Sequence, residues 1–142
     1  MAVFHLSDLS KNLPGSHVIG IAAFSHLSTD TRNLAAGDLF VALVDPNFDG
    51  HEFIAQAQNQ GACAALVSTE IDTDLPLIVV PDTRIALGQL AAIKRQSLNG
   101  QFVSVTGSSG KTTVKEMLQK VLFQAGEVEV TQGNFNNDIG VP

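Results

Sequence analysis

The sharpest change in the hydrophobic pattern of this chain lies between Phe102 and Thr113. An apolar run (Phe102, Val103, Val105) ends in Gly107-Ser108-Ser109-Gly110, and Lys111 and Thr112 follow at once. Val114, Met117, Leu118, Val121 and Leu122 then recur at helical spacing. The pattern predicts a strand over 102–106, a glycine turn and a helix over 111–125, with Gly126 just past its end. Residues 127–131 (EVEVT) alternate and predict another strand.

The upstream pattern is different. Leu6 to Leu13 reads as a short helix, with Ser7 as its N-cap and Pro14-Gly15 as its stop. Val18 to Phe24 is apolar and partly β-branched, so a strand is expected there. Ala36-Gly37-Asp38 reads as a turn, and Leu39 to Val44 as a buried strand that Asp45-Pro46-Asn47 breaks. A helix is expected over His51–Gln60, with Gly61 after it, then strands over Ala64–Ser68 and Leu77–Val80. Asp82 is placed to cap a helix over Thr83–Ser97, with Ala86, Leu87, Leu90, Ala91 and Ile93 facing a core. Lys94 and Arg95 fall in its last turn, where cations complement the helix dipole.

These elements predict an α/β fold in two parts. Residues 1–81 form a small α/β domain. Residues 82–142 supply a leading helix and one βαβ step of a phosphate-loop domain, with the boundary near Pro81-Asp82. A parallel nucleotide-binding sheet needs more strands, covered on both faces. The expectation is therefore that 82–142 is the truncated start of a larger unit, or that it self-associates.

Composition narrows the class. The chain has 142 residues, 44% of them hydrophobic, and a net charge of −6. That content supports a packed core rather than global disorder. Basic residues never run beyond Lys94-Arg95, which argues against a nucleic-acid surface. No apolar stretch approaches the roughly 20 residues of a membrane span, and no signal peptide opens the chain. The one cysteine, Cys63, sits among apolar residues, where burial is expected rather than reactivity. A cytoplasmic protein is expected. His5, His17 and His26 have no metal-ligand spacing.

Gly107 to Thr113 carries the chemistry. Glycines let backbone N–H groups crowd an anion, and a helix N-terminus adds about half a positive charge. Lys111 is placed to reach terminal phosphates and the Thr112 hydroxyl to ligate Mg²⁺. The standard phosphate-loop spacing would need glycine at position 105, where Val105 stands. What remains is the shorter G-x-x-G-K-T of Gly107–Thr112. Its place between a strand and an amphipathic helix favours an ATP site over a plain tight turn. Two other polar clusters, Ser28 to Arg32 and Asp49 to His51, read equally as ligand loops or as ordinary turns, while Asn134 to Asp138 reads by composition first as an ordinary asparagine-rich loop.

TGSSGKTTVKEML at 106–118 and GNFNNDIGVP at 133–142 resemble the phosphate loop and the asparagine signature of the Mur ligases of bacterial cell-wall synthesis. TDTRNLAAGDLFVAL at 29–43 and FDGHEFIAQAQNQGA at 48–62 are similar to the uridine-nucleotide-binding N-terminal domain of two branches of that family. The phosphate loop is closest in form to the branch that joins D-alanyl-D-alanine to UDP-N-acetylmuramoyl-tripeptide. The sister branch adding the third amino acid more often shows TGTNGKTT. One departure stands out: Val44-Asp45-Pro46-Asn47 replaces a segment where the family commonly has glycine.

The resemblance implies that ATP phosphorylates the tripeptide carboxylate and that the amine of D-alanyl-D-alanine attacks the acyl phosphate. It assigns Gly107, Ser108, Ser109, Gly110, Lys111, Thr112 and Thr113 to the nucleotide, with Lys111 and Thr112 catalytic and Thr112 on Mg²⁺. It assigns Ser28, Thr29, Asp30, Arg32, Asp49, Gly50 and His51 to the UDP moiety, and Asn134, Asn136 and Asn137 to the substrate near the phosphates. The family's remaining catalytic groups would lie beyond Pro142, so the chain alone is expected not to ligate. Three alternatives stay open: a UDP-sugar-binding module without catalysis, the sister ligase that adds the third amino acid, and a different phosphate-loop ATPase or kinase.

Overall fold

The computed structural model describes residues 3–131. The strands are β1 (Phe4–His5), β2 (His17–Ile19), β3 (Ala23–Phe24), β4 (Leu27–Ser28), β5 (Leu39–Val41), β6 (Val44–Asp45), β7 (Phe48–Asp49), β8 (Ala64–Val67) and β9 (Leu77–Val79). The helices are α1 (Leu6–Ser10), α2 (Ile54–Asn59), α3 (Thr83–Gln96) and α4 (Lys111–Leu122). Short 3-10 turns occupy Thr31–Asn33 and Gly50–Phe53.

The apolar runs decide the centre. β5, β8 and β9 have every residue buried, as strands covered on both faces must. They lie side by side in a five-stranded sheet of order β2-β9-β8-β5-β4. All neighbours pair in parallel except β2, which runs antiparallel to β9 with Val18 opposite Ile78. Alternation sends Phe40, Ala42, Ala65, Val67, Leu77 and Val79 to one face. There they pack with Ile54 and Ala57 of α2 and with Leu75 of the β8–β9 connection. Leu39, Val41, Leu66 and Ile78 point to the other face and are equally buried. Full burial of such side chains is worth about 2 kcal/mol each.

Several expected elements come out differently. The strand expected over 18–24 breaks into β2 and β3, because the chain turns at Gly20 and the two pieces join different sheets. Ser7 does not cap α1; the cap position falls two residues earlier, at His5, with no side-chain cap bond. The strand expected over 39–44 ends at Val41, and Val44–Asp45 instead pairs with Phe48–Asp49 across Pro46-Asn47. The helix expected from His51 starts as a 3-10 turn, with Asp49 accepting from the His51 backbone. Asp82 does cap α3: its Oδ1 accepts from the N–H groups of Arg84 (2.8 Å) and Ile85 (2.9 Å).

The chain divides into two compact units, one ending at Ala91 and the other beginning at Ala92. This division falls later than the expected boundary at Pro81-Asp82. The first turns of α3, with Thr83, Ala86, Leu87 and Leu90 buried, belong to the first unit. In the second unit, residues 102–106 and 127–131 form no ladder among the described residues, so the expected βαβ step shows only its helix. A strand exists through its neighbour's hydrogen bonds, and a hydrophobic pattern alone does not supply that neighbour. Arg95 sits over the Phe102 ring, 4.7 Å from its centroid.

Candidate functional site

The parallel strands fix where polar loops gather. Ser28 ends β4, Leu43 lies just beyond β5 and Ser68 follows β8, so all three mark the carboxyl edge of the sheet. Open α/β sheets bind ligands at that edge. Ser28 Oγ donates to the Asp30 carbonyl (2.8 Å) and accepts from the Asp30 N–H. Asp30 accepts from the Arg32 backbone and takes Nε and Nη2 of the Arg32 guanidinium in a two-point pair, 2.6 Å at its shortest. That pair holds the Asp30 carboxyl below its ordinary pKa and fixes an Arg32 side chain that is exposed. Thr31 is buried, Ser28, Thr29 and Asp30 are half-buried, and Arg32 is exposed.

The second loop docks on the same edge. Gly50 N–H donates to the Leu43 carbonyl at 2.7 Å. A Cβ on Gly50 would stand 2.7 Å from the Leu43 backbone N and O, so only glycine fits. His51 Nδ1 faces Asp49 Oδ1, and Asp49 also accepts from the His51 N–H at 2.9 Å. These two bonds, the backbone one first, lower the Asp49 pKa. The other ring nitrogen of His51 meets Ser68, with its N–H at 3.0 Å and its Oγ at 3.3 Å. Ser68 escaped sequence reasoning, which found no Ser/His/Asp arrangement; the residue follows an apolar strand and nothing local links it to His51.

The segment that departs from the family pattern takes a definite shape. The β6–β7 hairpin turns at Pro46-Asn47, and Asp45 Oδ1 accepts from Arg84 Nη1 of α3 at 2.8 Å. Phe48 stacks on Phe53 with ring centroids 5.4 Å apart.

In the second unit, Gly110 holds φ +75° at the cap position of α4, a left-handed conformation that glycine adopts without strain. Gly110 brings no side-chain cap bond, and no acidic residue sits in the first turn. Lys111 Nζ donates to the Gly107 carbonyl at 2.6 Å, which folds the lysine back over Ser108 and Ser109. Thr112 and Thr113 are exposed in the first turn. Loop, lysine, hydroxyl and open helix end are thus assembled, and the arrangement suits a polyphosphate. Among the described residues no cluster of three His, Cys, Asp or Glu could hold a metal. Asn134, Asn136 and Asn137 lie outside the described residues. Cys63 is half-buried; its thiol donates to the Gly37 carbonyl (3.2 Å) and burial raises its pKa, the opposite of activation.

Two family models match the chain. "Mur ligase family, catalytic domain" covers residues 23–95, and "Mur ligase middle domain" covers residues 105–142. The chain belongs to the Mur ligase family. Among curated relatives, it is similar to the UDP-N-acetylmuramoyl-tripeptide–D-alanyl-D-alanine ligase of Escherichia coli, at 50% identity over 96% of this chain and 30% of the relative. The Haemophilus influenzae ligase of the same name is 50% identical over 82% of this chain and 26% of the relative. Among solved structures, Acinetobacter baumannii MurF superposes with a TM-score of 0.83 and 39% identity, covering 96% of this chain and 30% of the other. MurF from Thermotoga maritima in complex with ADP gives 0.72 and 36% identity, covering 82% and 27%. The chain thus spans about a third or less of the Mur ligases it matches, and its α/β fold is theirs.

Proposed function

We propose that this chain provides the uridine-nucleotide domain and the phosphate loop of an ATP-dependent Mur ligase that joins D-alanyl-D-alanine to UDP-N-acetylmuramoyl-tripeptide in the cytoplasm. Residues 1–81 bind the UDP-sugar peptide, and residues 82–142 open the ATP-binding domain. One observation carries the reading: an exposed helix end capped by left-handed Gly110, with Lys111 and Thr112 in its first turn. The Escherichia coli and Haemophilus influenzae ligases, each half identical to this chain, supply the substrate class.

When bound, ATP supplies the phosphoryl group that activates the tripeptide carboxylate. Lys111 exchanges the Gly107 carbonyl for phosphate oxygens and offsets the charge that builds on them. The N–H groups of 108–113 surround the anion, and the Thr112 hydroxyl provides an oxygen of the kind Mg²⁺ prefers. Arg32, held by Asp30, offers a fixed guanidinium to the diphosphate of the uridine nucleotide. Asp49 and Gly50 shape the neighbouring loop, and Asn134, Asn136 and Asn137 complete the substrate side. The apolar face of α4 is the surface through which the isolated chain self-associates.

The test is a titration of the ¹⁵N-labelled chain. UDP-N-acetylmuramoyl-tripeptide is expected to move the amides of 28–32, and Mg²⁺–ATP those of 107–113. Lys111→Ala removes the second response and spares the first. Amides that ignore the uridine ligand at millimolar concentration would sink the proposal.

A further inference from the structure

The fold joins three side chains in series at the carboxyl end of β8: Asp49, His51 and Ser68. The order resembles a nucleophile-activating triad, but the shorter contact of the ring is to the Ser68 backbone. The Ser68 backbone N–H points at His51 Nε2 from 3.0 Å. A backbone N–H can only donate, so Nε2 presents its lone pair and the proton of the neutral ring sits on Nδ1, facing Asp49. The Ser68 N–H is the nearer partner of that lone pair, and Ser68 Oγ lies further off at 3.3 Å. The His51 side chain is 14% exposed, and both of its nitrogens are occupied within the protein. Such a ring has no polar atom left to offer a ligand.

We infer that His51 is a positioning residue: it braces the Asp49–His51 turn against the end of β8 through the Ser68 backbone, and it does not touch the uridine nucleotide. The brace closes a loop of interactions. Gly50 ties the turn to the backbone beyond β5, and His51 ties it to the backbone beyond β8, the strand beside β5. Asp49, half exposed, is thereby held at the edge where the Ser28–Arg32 turn also lies. A turn anchored at two adjacent strands spends little ordering entropy when a ligand arrives. The inference rests on the uridine-nucleotide reading only for what the turn serves; the brace itself is a property of the free chain.

Long-range ¹H–¹⁵N spectra of the labelled chain decide the first part. The His51 ring is expected to carry its proton on Nδ1 and none on Nε2, with a slowly exchanging Ser68 amide. A ring protonated on Nε2, or a charged ring, overturns the inference. UDP-N-acetylmuramoyl-tripeptide is the probe for the second part: amides of 28–32 should move while the Nε2 resonance stays in place. A large Nε2 shift on binding overturns positioning in favour of contact. If no amide responds, the uridine reading fails, and the tautomer still judges the brace. Two variants add a graded readout. His51→Leu strands the Ser68 N–H and should weaken binding by about tenfold, whereas His51→Gln, which keeps an acceptor and a donor, should recover most of it. Equal losses in the two variants, with both folded, count against the brace.

Discussion

The central sheet and helix α4 carry hydrophobic patterns of similar clarity, yet only the sheet has its pattern satisfied within the described residues. β5, β8 and β9 bury every residue, while α4 buries none. Val114, Met117, Val121 and Phe123 stay open, with Phe123 71% exposed. Periodicity reports that a face is to be buried; it does not report where the covering surface comes from. The first unit brings its own cover, α2 and the β8–β9 connection. The second presents a phosphate loop on a helix whose apolar side has none among the described residues.

This contrast can be broken most forcefully in the core. Phe40→Ala empties a fully buried position under α2 and should cost about 4 kcal/mol, whereas Met117→Ala, measured at a dilution where the chain is monomeric, should stay within about 0.5 kcal/mol. Urea unfolding of the two variants side by side measures the difference, and equal losses would falsify the claim that α4 is uncovered. Gly50→Ala comes next. Its methyl would press on the Leu43 backbone and should destabilise the first unit by about 2 kcal/mol, with the amides of 49–53 moving most. Asp82→Ala removes the α3 cap and should cost about 1 kcal/mol. If the early turns of α3 belong to the first unit, that loss will lower the same unfolding transition that Phe40→Ala lowers.

The smallest effect is electrostatic. Asp30 and Asp49 both have pKa values held below the ordinary carboxylate value by hydrogen bonds, from Arg32 and from His51. Their contribution is therefore fully present above about pH 4 and fades as pH falls through the lowered folded values. The amides of Arg32 and His51 should shift first in an acid titration, before the sheet amides respond.

Much of the fold was legible for a physical reason. LFV, AALV and LIV are short, continuous apolar runs bounded by turn residues, which is how doubly covered parallel strands read. Asp82 followed by a helical apolar face specified α3 almost to the residue. The phosphate loop was legible because its chemistry is local, from Gly107 to Thr113. The β6–β7 hairpin was not: two-residue strands around Pro46-Asn47 carry no period to detect. The strands expected at 102–106 and 127–131 were read from pattern alone, and pairing is a property of two segments. The Asp49–His51–Ser68 series was invisible because His51 and Ser68 meet only once α2 has carried the chain from β5 to β8.

β2 pairs with β9, so among the described residues the first strand of the sheet in sequence has its only neighbour in the last. No hairpin can start this sheet, and each parallel neighbour must wait for a crossover. On an emerging chain, residues 17–19 stay without a sheet partner until Val79 has been made. The antiparallel edge is thus written first and closed last, and the loop it closes spans most of the unit. Such non-local closure slows folding. Its timing makes the arrival of β9 the step at which the first unit becomes a finished sheet.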